Sequence, residues 1–302
     1  LKMGNHVLTP GDITVPPSPQ DPYVLETTVE NPNPYGTSSY DTFGQSIAIT
    51  STHIIAGAPQ EDEAGANNSG ASSGKAYIYD GDGSTLIYTL DNENTYGTPY
   101  IDNFGRAVGL STSYAIVGAD NDEINNQYRP GVAYIYNLSD GSKKATLSNP
   151  LAYDTNNLSR DQYFGYAVDI NESYAIVGAY NQTRNNQSGS GGAYVFDTNG
   201  SLQYTFNNPA ASTTSAFGWD VSMSDNYAAV AQRGSNSFQG KVYIYDVQNS
   251  FNQIYTLSNP NADTTNQYDW FGEGVAVSNT HAIVAAPNED SGGTNDVGKA
   301  YL

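Results

Sequence analysis

The sequence predicts an all-β fold, a five-bladed β-propeller of four-stranded blades closed by an N-terminal strand, and three observations carry the prediction. The first is a stretch that recurs five times: FGQSIAITSTHIIAGA from Phe43, FGRAVGLSTSYAIVGA from Phe104, FGYAVDINESYAIVGA from Phe164, FGWDVSMSDNYAAVAQ from Phe217 and FGEGVAVSNTHAIVAA from Phe271. Its Phe-Gly pairs are spaced by 61, 60, 53 and 54 residues, the length of a repeated supersecondary unit. The second is that each unit divides into four short segments rich in Val, Ile, Tyr and Phe and bounded by Gly, Asn, Asp or Ser, which is strand-and-turn composition. The third is that no segment shows the 3.6-residue periodicity of an amphipathic helix. Four short strands per unit describe a propeller blade.

Taken in order, residues 1–22 hold Pro10, Pro16, Pro17, Pro19 and Pro22 and read as an extended arm or linker. Residues 23–302 form the repeat domain. In the third unit the strands are FGYAVDI from Phe164, YAIVGA from Tyr174, GAYVFD from Gly192 and SLQYTF from Ser201. A blade lies between two neighbours, so both of its faces must be apolar. The third strands meet this need, with Ala133 and Ile135 on one face and Tyr134 and Tyr136 on the other. Gly57, Gly118 and Gly178 fit where backbones approach closely at the inner part of a blade. The fifth unit runs to GKAYL at 298–302, and YVLETTVENPNP from Tyr23 resembles the fourth-strand endings SNP, NNP and SNP at 148, 207 and 258. The opening strand is therefore expected to complete the last blade and close the ring.

Composition narrows function. Cysteine is absent, which excludes disulfides, thiolate metal sites and a cysteine nucleophile. Acidic residues outnumber basic ones by 31 to 11, and a formal charge of −20 repels nucleic acid and anionic membranes. Apolar runs such as YAIVGA from Tyr114 have strand length, so no membrane insertion is expected.

The recurring Phe-Gly pair, the Gly-Ala-Pro at 57–59 and the Tyr-Ile-Tyr third strand together resemble the FG-GAP repeat of integrin α-subunit propellers and of bacterial and viral surface proteins. The resemblance covers residues 23–302. It implies a non-enzymatic recognition or assembly module on a cell or virion surface, with a protein or glycan as partner or a homo-oligomer or larger assembly. The alternatives are a structural subunit of an appendage or virus particle and a glycan-cleaving propeller. The family often carries a DxDxDG calcium loop between first and second strands; here those turns read TSTH, STSY, NESY, SDNY and SNTH, with too few oxygens for calcium. No cofactor is expected.

Several residue groups compete as sites. Acids in the loops after the second strands, Glu61, Asp62 and Glu63, Asp120, Asp122 and Glu123, and Glu289, Asp290 and Asp296, read as solvated loops and as weak metal candidates. Asp80-Gly81-Asp82-Gly83 reads as hairpin chemistry. His53 and His281 replace Tyr114, Tyr174 and Tyr227 in a packing or rim slot, and Lys75, Lys241 and Lys299 share a structural slot. Asp169, Asp220 and Glu273 are the first-strand acids a glycosidase would need, yet they sit at three different offsets from their Phe-Gly pairs. Asp41, Asp102 and Asp269 precede Phe-Gly by one common step, as turn or cap residues do. The residue after each Phe-Gly is Gln45, Arg106, Tyr166, Trp219 or Glu273, while positions two and four further on are nearly all aliphatic. Packing fixes the aliphatic positions and leaves these five free, so they form the candidate ligand-binding ring at one mouth of the channel.

Overall fold

The computed structural model of the chain describes residues 27–32, 41–61, 73–92, 102–122, 130–151, 162–184, 187–234, 239–261, 268–290 and 297–302, together with the backbone of two short strands near the N-terminus. Those two, β1 (Lys2–Met3) and β2 (His6–Val7), pair antiparallel, so the arm departs from the unpaired conformation expected of it at this point.

Five antiparallel meanders follow. Blade 1 holds β3 (Ser46–Ile49), β4 (His53–Ala58), β5 (Lys75–Asp80) and β6 (Leu86–Asp91). Blade 2 holds β7 (Phe104–Leu110), β8 (Tyr114–Ala119), β9 (Val132–Asn137) and β10 (Lys143–Ser148). In blade 3 the strands are β11 (Phe164–Ile170), β12 (Tyr174–Ala179), β13 (Gly192–Asp197) and β14 (Leu202–Phe206). Blade 4 contributes β15 (Phe217–Met223), β16 (Tyr227–Gln232), β17 (Lys241–Asp246) and β18 (Asn252–Ser258). Blade 5 has three strands, β19 (Val275–Val277), β20 (Ala282–Ala286) and β21 (Lys299–Tyr301). This is an all-β architecture of sheets consistent with propeller blades, with no helix among the described residues.

The core is a series of layers between sheets. Tyr134 and Tyr136 join Ile55, Ile78 and Phe104 between blades 1 and 2, whereas Ala133 and Ile135 join Phe164, Val168 and Tyr194 between blades 2 and 3. One strand thus serves two interfaces through the alternation of its side chains, as the sequence pattern required. Phe206 with Tyr245, and Phe271 with Val284, centre the next two layers. Close approach fixes the inner glycines: a Cβ on Gly118 would overlap the carbonyl oxygen of Gly165 in the next blade, and one on Gly57 that of Gly105.

The two end faces differ from these layers. Val29, on the segment 27–32, packs with Ala58, Tyr77 and Tyr79 on the outer face of blade 1, and Tyr79 Oη donates to the Glu30 carbonyl at 3.3 Å. On that same face Ile47 is 72% and Ile49 71% exposed, while the equivalent Val108, Val168 and Val221 are buried. Ile283 and Leu302 are exposed on blade 5, and no described residue pairs with β21 as a fourth strand.

Candidate functional site

The position after Phe-Gly is variable because it lies in a β-bulge. Pairing jumps from Phe104↔Ala119 to Ala107↔Gly118, from Phe164↔Ala179 to Ala167↔Gly178, and from Phe217↔Gln232 to Val221↔Val230. Arg106, Tyr166 and Trp219 are thereby released from the ladder, and such bulges re-aim side chains. Two left-handed residues set up each bulge. The one before Phe is Thr42, Asn103, Tyr163, Ala216 or Trp270, with φ between 52° and 59°. The second is the glycine after Phe, with φ between 80° and 91°, a conformation that costs an L-residue about 1–2 kcal/mol and glycine almost nothing.

The first strands of blades 1 to 4, together with Glu273 just ahead of β19, line one groove of about 320 Å³, with Arg106, Tyr166 and Trp219 among its other walls. Gln45, expected as the fifth member, is exposed on its turn and contributes no wall; its neighbours Ser46 and Ile47 do. Arg106 lies over the Tyr166 ring at 4.4 Å, and Tyr166 and Trp219 have centroids 5.1 Å apart. Sequence reasoning missed Tyr163, Tyr180, Arg233 and Trp270. Tyr180 meets Tyr166 at 4.6 Å, Trp219 at 4.8 Å and Tyr163 in a parallel stack at 5.2 Å. Arg233 is held between the only two tryptophans, 4.2 Å from Trp219 and 3.9 Å from Trp270, and ion-pairs with Glu273 at 2.8 Å. The visible signals were that Trp270 takes the left-handed slot before Phe-Gly and that Tyr180 follows Gly-Ala where Pro59 and Pro287 stand.

Burial pushes up the Tyr166 and Tyr180 hydroxyls, which stay protonated donors, and raises Glu273 against the pull of Arg233. Flat aromatic faces beside two guanidinium groups and a carboxylate give a surface that stacks and hydrogen-bonds at once.

The first-strand acids come nearer to one another than their unequal offsets suggested. Asp220 and Glu273 line the same groove, and Asp220 is pushed up to about 7 by burial, with further upward pressure from Asp169 and Glu273. Asp169 is pushed up to about 6 by burial, opposed by its donors. Both are structural ties. Asp169 Oδ2 accepts from Met223 N at 2.7 Å and Ser222 Oγ at 3.1 Å, linking blades 3 and 4. Asp220 Oδ2 accepts from Val275 N at 2.7 Å, linking blades 4 and 5.

The loop acids are the clearest correction. Read as solvated, Glu61, Asp120, Asp122 and Glu289 are buried, because they sit at the junctions between blades; Asp290 is half-buried. Asp62, Glu63, Glu123 and Asp296 lie outside the described residues. Each junction repeats one plan: a third-strand tyrosine, an asparagine ending the preceding fourth-strand segment, and two further polar side chains. At blade 2, Tyr134 Oη donates to Asp122 at 2.7 Å, and Asn92 Nδ2 donates to Asp102 at 3.2 Å. At blade 3, the amides of Asn149, Gln162 and Gln182 bond one another, and Tyr194 donates to Gln182. At blade 5, Asn259 Nδ2 donates to Asp269 at 2.9 Å and Lys299 pairs with Glu289 at 3.4 Å. The recurring Asp41, Asp102 and Asp269 thus share an asparagine amide as partner, a contact that sequence reading took for a turn or cap.

The remaining groups are structural. His53 and His281 each bond the preceding threonine, at 3.0 and 2.9 Å, and His53 borders a second groove of about 390 Å³ with Tyr114 and Asn137. Lys75 pairs with Asp91, and Asp80 accepts from Thr85 N in its hairpin at 3.1 Å.

The FG-GAP repeat family matches residues 34–79, 100–136, 155–196 and 261–302. Blade 4 falls between the last two matches; the structure nevertheless gives it the same four antiparallel strands. No curated protein matches the chain. With the repeat matched over more than half of its length, the chain belongs to the FG-GAP repeat family.

Proposed function

We propose that the chain is a non-enzymatic recognition module of an extracellular, cell or virion surface, closed into a five-bladed ring and binding a glycan or a protein segment at the groove of Arg106, Tyr166, Trp219 and Glu273. The observation that carries this reading is the convergence of bulge-released aromatic and arginine side chains on one groove lined by residues of all five repeats. Tyr, Trp and Arg are the side chains over-represented at recognition hot spots. A hydrolytic role is disfavoured because Asp169 and Asp220 hold the next blade's backbone and Glu273 is paired with Arg233. The strongly negative charge argues against nucleic acid as partner.

Closure is part of the proposal. It is supported by segment 27–32, which meets blade 1 as other fourth-strand endings meet the blade after them, and by apolar side chains left exposed on both end blades. Those exposed faces also favour a second reading, a structural subunit in which neighbouring copies cover Ile47 and Ile49. Screening the purified chain and its Trp219→Ala variant on glycan arrays and displayed peptides tests the first reading. Capture that Trp219→Ala abolishes supports it; capture that the variant retains in full overturns it.

A further inference from the structure

The described residues include three arginines, and the structure disposes of their charge in three ways. Arg184 Nη1 donates to the Phe206 carbonyl at 3.1 Å and to Asn207 Oδ1 at 3.2 Å. Arg233 is ion-paired with Glu273 at 2.8 Å. Arg106 has the ring and hydroxyl of Tyr166 as its side-chain partners, and among the described residues it belongs to no ion pair. The other acid of the groove wall is committed to backbone: Asp220 Oδ1 accepts from Val221 N at 2.9 Å and Oδ2 from Val275 N at 2.7 Å, and burial favours its neutral form. Asp120, which acts on Tyr166 and Tyr180 from outside the groove wall, is buried and accepts from Asn103 Nδ2 at 3.0 Å. Arg106 is therefore the wall cation whose charge no wall carboxylate answers, on a chain that carries −20 in all.

Aromatic faces on an acidic protein would ordinarily collect a cation. Here the protein's own guanidinium groups already cover them, Arg106 over Tyr166 at 4.4 Å and Arg233 between Trp219 and Trp270. What a stacked guanidinium leaves open is its edge, where N–H donors lie in one plane with the spacing of a carboxylate's two oxygens. An extended peptide would need backbone groups to pair with, and the bulges have spent theirs. Arg106 N donates to the Asn103 carbonyl at 2.9 Å, Tyr166 N to that of Tyr163 at 3.2 Å and Glu273 N to that of Trp270 at 3.0 Å. Recognition in this groove falls to side chains. A sugar acid suits them, since it carries a carboxylate for Arg106, hydroxyls for the Tyr166 hydroxyl and the Glu273 carboxylate, and C–H faces for the aromatic edges, within about 320 Å³.

We propose that Arg106 reads a carboxylate and that the groove takes a glycan ending in a single sugar acid of the uronate class. The inference rests on the groove being the recognition site. A polyanion would have to lie along a surface whose overall charge is −20, whereas a single carboxylate touching Arg106 answers mainly to that guanidinium, because exposed charges more than about 8 Å away are largely screened at physiological salt.

The test presents the full chain with immobilised glycans ending in glucuronic acid, with the same glycans methyl-esterified at that acid, with counterparts ending in glucose, and with displayed peptides rich in aspartate and glutamate. Capture of the acid form at least tenfold above the ester and glucose forms, falling to the level of the ester in an Arg106→Gln variant whose Tm is unchanged, supports the proposal. The ester comparison on the native chain needs no variant, so it decides even where Arg106→Gln unfolds. Equal capture of acid, ester and glucose forms overturns the proposal, and loss of that capture in Trp219→Ala would leave the groove as a recognition site for neutral glycans. Capture of the acidic peptides in place of the glycans likewise overturns it. So does an Arg106→Gln chain that keeps the full preference for the acid, which places the carboxylate elsewhere. Capture of no glycan and no peptide overturns both this proposal and the reading of the groove on which it rests.

Discussion

Asp220 makes stability depend on pH in a direction opposite to ordinary acid denaturation. Its carboxyl is raised from 3.8 to about 7 in the folded chain, chiefly by burial, so between those values the folded state holds a proton that the unfolded state has lost. Stability from this group therefore rises as pH falls through about 7 and stops rising near 3.8. At about 1.4 kcal/mol per unit, acidification from pH 8 to pH 5 adds about 2.5 kcal/mol. For a chain of 302 residues the unfolding entropy is about 0.6 kcal/mol/K, which converts that gain into about 4 °C of Tm. Asp169, raised to about 6, adds in the same sense over the lower part of the range. The depressed carboxyls, Glu172 with its Ser113 and Ser111 partners among them, act only below their ordinary values. Thermal melts at pH 5, 6, 7 and 8 on the native chain and on Asp220→Asn measure the effect. Repeating them in 0.5 M salt screens the general repulsion of the −20 charge, which also relaxes on acidification. The expected result is a Tm that rises toward pH 5 in the native chain, with a slope reduced by more than half in Asp220→Asn. Parallel curves for the two proteins would refute the argument and show that the Asp220 carboxylate is stabilised well enough by Val275 N and Val221 N to stay ionised.

Three further outcomes are expected. Trp219→Ala removes contacts with Tyr166, Tyr180 and Arg233 and should cost about 2 kcal/mol of stability in a denaturant melt, and about 2 kcal/mol or more of ligand attachment once a ligand is known. Gly118→Ala should cost about 1–3 kcal/mol, read as a lowered Tm, because its Cβ overlaps the Gly165 carbonyl; an unchanged Tm would show that blades 2 and 3 can move apart freely. Deleting residues 1–30 removes Val29 from Tyr77 and Tyr79 and should drive association through the uncovered face, seen by light scattering, whereas a monomer with unaltered melting argues against closure by this segment.

The sequence by itself determined the repeat, its register and its strands, because a blade buried on both sides imposes a period-two pattern that any side chain in the wrong phase would violate. Ala133 and Ile135 against Tyr134 and Tyr136 were assigned to opposite interfaces from that pattern alone, and the packing agrees. The close-approach role of Gly57 and Gly118 was legible for the same reason: the absence of a side chain recurs where a carbonyl must pass. All five positions after Phe-Gly were legible as variable residues among fixed ones, and four of them line the groove. Their partners were decided by tertiary structure. Arg233 and Trp270 are 37 residues apart in blades 4 and 5, and nothing local to either records that they meet at 3.9 Å. Burial of Glu61, Asp122 and Glu289 was likewise a tertiary fact. An acidic loop looks solvated in a linear chain, and only the arrival of the preceding segment's asparagine, beside the blade's own third-strand tyrosine, takes those carboxylates out of water. The junction polar residues do recur in the sequence, with Asp41, Asp102 and Asp269 at one common step before Phe-Gly, but a recurring polar residue does not record which distant group it bonds, whereas apolar packing declares its face through the period-two pattern of every strand.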